Sequence, residues 1–106
     1  MKDMFKYGIA CSLEQVPQGY CTTFRGGIEA ICERSKSIGY KGIELQEKDP
    51  TKLDWGYIKK VATDYGIEIT AIATGREISE NKLNLISDDP KVRRDAIDRL
   101  KEHIDM

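Results

Sequence analysis

No apolar run in this chain is longer than a few residues, so no segment is built to cross a bilayer. Charge of one sign is also missing. Seventeen Lys+Arg stand against eighteen Asp+Glu, a formal net charge of −1, which gives no electrostatic reason to expect nucleic acid or an anionic membrane as a partner. The three cysteines, Cys11, Cys21 and Cys32, include no Cys-x-x-Cys pair, so neither a zinc site nor a disulfide framework is expected. Free thiols in a reducing compartment are the expectation. Met1-Lys2-Asp3-Met4-Phe5-Lys6 has no apolar core of signal-peptide length, which makes the cytoplasm the expected location. Gly26-Gly27 lacks the spacing of a phosphate-binding loop. His103 is the only histidine. It lies on a helical stretch and is expected at the surface.

What is present is an alternation of two periods over 106 residues, enough for one domain, 1–106. Residues 6–12 read as a first strand and 13–26 as a loop. Ile28, Ile31, Cys32 and Ser35 fall at helical spacing before a stop at Gly39. Residues 41–46 form a second strand and 47–52 a turn around Pro50. Asp54 caps a helix carrying Trp55, Ile58, Val61, Ala62 and Tyr65, which Gly66 ends. Trp55, Tyr57 and Tyr65, with no basic patch beside them, read as packing residues rather than a base-stacking platform. Ile67 to Thr74 is a β-branched third strand. A polar loop from Gly75 leads to Asp89-Pro90, N-cap and first residue of a helix with Val92, Ala96, Ile97, Leu100 and Ile104 as its stripe.

This β-α-β-α-β-α order is α/β and favours a parallel sheet with its helices on one face. Strand parity puts Ile9, Cys11, Ile43 and Leu45 toward the helices. Gly8, Ala10, Ser12, Gly42, Glu44 and Gln46 point to the other face. A three-stranded parallel sheet with one bare face is incomplete, because parallel sheets are normally covered on both sides. A (β/α)₈ barrel takes about 250 residues. The expectation is therefore about three of the eight units of a TIM barrel. A 2-1-3 strand order, with helices on both faces, is the alternative fold.

Three stretches carry a family resemblance. Tyr40-Lys41-Gly42-Ile43-Glu44-Leu45 resembles the second-strand motif of xylose isomerase-like barrels, a family of sugar isomerases and epimerases with endonuclease relatives. Gly66-Ile67-Glu68-Ile69-Thr70-Ala71 is similar to that family's third-strand entry. Ser87-Asp88-Asp89-Pro90-Lys91-Val92-Arg93-Arg94, followed by Ala96 to Lys101, is similar to its third helix.

The resemblance implies the N-terminal part of a sugar phosphate isomerase/epimerase. In the whole barrel it implies a divalent metal held by carboxylates and a histidine near the ends of later strands, and proton transfer next to a sugar carbonyl. Those positions fall beyond the third unit, so no metal and no turnover are expected of this chain alone. Its expected partners are a sugar or sugar phosphate, and either further copies of itself in a homo-oligomer or the C-terminal half of a barrel. The alternative function is a small self-associating α/β binding module without catalysis.

Glu44 is the leading substrate-binding candidate, as a carboxylate near the carboxyl end of the second strand on the face away from the helices. Ser12, Gln46 and Thr74 end the three strands with groups suited to sugar hydroxyls. Arg76, in the loop after the third strand, is a candidate phosphate contact. For Arg76 and Glu77 alike, a solvated loop charge is the competing expectation.

Overall fold

A computed structural model describes residues 5–105. Residues 1–4, on which the signal-peptide reading partly rests, and Met106 lie outside the described residues. The elements are β1 (Gly8–Ser12), β2 (Phe24–Arg25), α1 (Ile28–Ile38), β3 (Gly42–Leu45), α2 (Trp55–Tyr65), β4 (Glu68–Ile72), α3 (Arg76–Ser79) and α4 (Pro90–Ile104), with a 3₁₀ turn at Pro50–Lys52.

The sheet runs β2-β1-β3-β4 and every pairing is parallel. The three principal strands β1, β3 and β4 lie side by side in chain order, as in a barrel wall. The 2-1-3 alternative does not form. Two features appear where loops are expected. Phe24 and Arg25 pair with Cys11 and Ser12 as a two-residue strand on the outer edge of β1. Directly after β4, residues 76–79 wind into the single turn α3.

Helix ends follow the sequence signals. The Asp54 and Asp89 carboxylates accept from the backbone N–H groups of Tyr57 and Lys91, satisfying donors that a helix N-terminus leaves free. Gly39 and Gly66 stop α1 and α2 at φ 108° and 70°, a left-handed region that favours glycine.

The core lies between the sheet and the α1–α2 pair. Cys11, Ile43 and Leu45 from the strands meet Ile28, Ile31 and Cys32 of α1 and Ile58, Val61 and Ala62 of α2. On β4 a register shift between the pairs Ile43↔Ile69 and Glu44↔Ala71 leaves Thr70 as an extra residue. The shift keeps Ile69 and Ile72 both packed against the core.

Helix α4 departs from its expected stripe. Ile97 and Ile104 are 45% and 80% exposed, while Ala96 and His103 are buried. The helix docks through polar hooks instead. Arg99 Nη1 lies 2.7 Å from Asp49 Oδ1, and His103 Nε2 lies 2.8 Å from Glu77 Oε1. Between α2, β4 and α4 remains a groove of about 650 Å³, walled by Trp55, Ala62, Ile67, Ile69 and Ile72. The accessible surface is 7088 Å². A compact monomer of this mass is expected to expose about 6,000 Å². The surplus fits a sheet with one face uncovered.

Candidate functional site

Because all strands are parallel, their carboxyl ends gather at one end of the sheet. On the face away from the helices, β1 contributes Ala10, β3 contributes Glu44 and β4 contributes Ala71, in register with one another. Small residues on both sides leave the Glu44 carboxylate room above the sheet. It is half-buried and has no hydrogen-bond partner among the described residues. Two residues on, the Gln46 side-chain oxygen accepts from the Thr22 hydroxyl. What Gln46 has left to offer is its NH₂ group, a donor.

Behind these two residues stands a polar cluster centred on Arg76 and Glu47. Arg76 is fully buried. Its Nη1 donates to Ser12 Oγ at 2.9 Å and to the Gln46 carbonyl at 3.0 Å. Nη2 donates to the Gln15 carbonyl at 2.6 Å and to Glu80 Oε1 at 3.2 Å, and Nε donates to Glu80 Oε2. A guanidinium has five N–H donors, and all five are engaged by protein acceptors here. Its Cζ also lies 5.6 Å from the centre of the Tyr20 ring. One arginine thus ties together the ends of β1 and β3, the β1–β2 loop and α3. The Glu80 carboxyl is held below the usual carboxylate range by its hydrogen bond to Arg76.

Glu47 is also fully buried. Its carboxylate accepts from the backbone N–H groups of Leu13 and Glu14, the latter at 3.1 Å, and lies 3.1 Å from Ser12 Oγ. The favour is returned. Glu14 Oε1 accepts from the backbone N–H groups of Lys48 at 2.6 Å and Asp49 at 3.1 Å. Each loop's glutamate therefore caps the other loop's backbone. Burial pushes the Glu47 carboxyl up from 4.5 to about 7. The N–H and Ser12 hydrogen bonds oppose that rise, and the neighbouring Glu14 carboxylate adds to it.

Of the sequence candidates, Ser12, Gln46 and Arg76 come together in this cluster, and Glu44 stands beside it on the inner face. Thr74 sits apart, half-buried at the end of β4, where its carbonyl accepts from Glu77 N–H at 3.0 Å. The solvated-charge expectation for Arg76 and Glu77 is overturned, since they are 0% and 4% exposed. The surface expectation for His103 fails as well. It is 6% exposed against Glu77, whose other oxygen accepts from Asn81 Nδ2 at 2.8 Å. His103 follows Ala96 and Leu100 on the same helix face, a spacing that marks it as inward-facing. Glu14 and Glu47 are not singled out by the sequence reading. The one signal for Glu47 is parity, because it continues the helix-facing, buried alternation of Ile43 and Leu45.

The divalent metal implied by the resemblance does not fit the residues at hand. Among the described residues no group of three or more His, Cys, Asp or Glu is placed to hold a metal ion. Nor is any helix among them long and apolar enough to cross a membrane.

A search of curated proteins returns no match to this chain. The sequence pattern of one family, described as xylose isomerase-like TIM barrel, does match, over residues 32–106. That span runs from α1 through α4 and takes in Glu44, Gln46, Glu47, Arg76 and Glu77. A match to most of the chain, on parallel strands laid side by side in barrel order, means that the chain belongs to the xylose isomerase-like TIM-barrel family.

Proposed function

We propose that this chain forms part of the wall of a sugar or sugar phosphate pocket in an isomerase/epimerase barrel, and that it binds the sugar without turning it over. The observation that carries this reading is the free Glu44 carboxylate at the carboxyl end of the sheet, on the face that lines the inside of such a barrel. Glu44 accepts hydrogen bonds from a sugar hydroxyl, and the Gln46 NH₂ donates one to a second oxygen. Ser12 and Arg76 act by fixing the strand ends that present these two groups. Thr74 borders the same rim from β4. Where the barrel is complete, the reaction is proton transfer next to a sugar carbonyl, for which the family supplies a divalent metal. No step of that transfer is assigned to a residue of this chain.

Ligand-observed NMR with a ketose phosphate tests the proposal. Saturation-transfer signals are expected with millimolar affinity, and Glu44→Gln should weaken binding about tenfold, as expected for losing a hydrogen bond to a charged group. Carbon-bound hydrogen next to the carbonyl should not exchange with D₂O on adding Mg²⁺ or Mn²⁺. Binding unaffected by Glu44→Gln would sink the assignment, and exchange catalysed by the chain alone would sink the division of labour.

A second reading, a self-associating binding module, is favoured by the surplus of exposed surface and by the β4 edge, which pairs with no further strand among the described residues. Light scattering on the eluting protein separates the two readings. A discrete symmetric oligomer supports the module, and a monomer that still binds the sugar supports the pocket wall.

A further inference from the structure

We infer that the Glu14–Glu47 pair is a proton-operated latch that holds the β1–β2 loop, residues 13–23, closed against the end of β3. The inference rests on the reciprocal capping of the two loops and stands whatever ligand the rim takes.

The loop is fastened by contacts that converge on one place. Leu13 and Glu14 N–H donate to Glu47, Lys48 and Asp49 N–H donate to Glu14, and the Gln15 carbonyl accepts from Arg76. Farther along, Thr22 is bonded to Gln46, beside Glu44. When Glu47 is protonated, its O–H is shared with the Glu14 carboxylate and the pair carries a single negative charge. When Glu47 ionises, its fully buried carboxylate stands beside the half-buried Glu14 carboxylate, and opening the loop rehydrates Glu47 and separates the two charges.

The groups around the pair do not change charge with it near neutrality. From α3, Arg76 stays cationic, and Glu80 is held anionic by it. From β1, burial pushes the Cys11 thiol up to about 12, so it stays neutral. On the turn after β3, burial raises the Asp49 carboxyl, but its bonds to Thr51 and to Arg99 of α4 outweigh that and keep it anionic. Lys48 lies 3.9 Å from Glu80. From the loop itself, the Tyr20 hydroxyl is raised by burial and stays neutral. His103 on α4 meets Glu77 rather than Glu47.

The sign follows from the raised carboxyl. Closure is favoured while Glu47 holds its proton, and that advantage is lost as pH climbs from 4.5 toward 7. Hydrogen exchange, corrected for intrinsic rates, reads the opening equilibrium at the amides of Leu13, Glu14, Lys48 and Asp49. In the wild-type chain the opening constant should rise about tenfold between pH 6 and pH 8. Glu47→Gln keeps an acceptor for Leu13 and a donor toward Glu14, and should flatten the profile. Glu14→Gln removes the facing charge and should reduce the slope, which keeps the test open if the first variant folds poorly. A flat wild-type profile would overturn the latch. So would a tenfold rise that persists in Glu47→Gln, because the proton on Glu47 would then not be its source.

Discussion

Arg76→Met should remove about 4 kcal/mol of folding stability, in the range seen when one partner of a buried ion pair is deleted. The substitution leaves the half-buried Glu80 without its cation, and leaves the Gln15 and Gln46 carbonyls and the fully buried Ser12 hydroxyl without the Arg76 donors. Methionine nearly fills the volume, so the loss reports polar disconnection more than a cavity. Arg76→Lys should recover less than half of it. One ammonium has three donors from a single point, whereas the site presents acceptors on several sides of a planar fork. Urea unfolding followed by far-ultraviolet circular dichroism measures both variants. A loss under about 1 kcal/mol, or full rescue by lysine, would show that the hub is not what holds the strand ends together.

Gly42→Ala should cost about 2 kcal/mol, and the cost should depend on Thr70. A β-carbon at position 42 would stand 2.6 Å from the Thr70 methyl carbon and 3.2 Å from the Glu68 carbonyl oxygen. Thr70 cannot turn aside cheaply. It is β-branched, it is the extra residue of the β4 register shift, and its hydroxyl donates to the Ile43 carbonyl at 3.2 Å. Placing Gly42→Ala in a Thr70→Ala background removes the clashing methyl and should recover at least about 1 kcal/mol. Additive effects in that double-mutant cycle would mean that the close approach of β3 and β4 is not what requires glycine.

Much of this architecture was legible in the residues. The order of strands and helices could be read because capping aspartates open α2 and α4 and stop glycines close α1 and α2, with apolar spacing switching period between them. The two faces of the sheet followed from parity, which depends only on strand geometry. Strand β2 was not legible, since two residues carry no period and their pairing depends on how the loop folds back over Ser12. The polar cluster was harder still. Arg76 looked like a loop charge because its acceptors are scattered over Ser12, Gln15, Gln46 and Glu80, three of them about thirty or more residues away. No local pattern encodes such convergence. Glu47 and Glu14 recognise backbone N–H groups, which every residue has, so neither partner announces itself in the sequence.

Heteronuclear NMR of the ¹⁵N-labelled chain, titrated with a ketose phosphate, tests most directly whether the carboxyl ends of the strands form the binding face. The account predicts shifts confined to the amides of residues 12–14, 44–47 and 73–77, with the largest at Glu44 and Gln46. Shifts gathered instead along the groove between α2 and α4, or none up to concentrations far above millimolar, would contradict it.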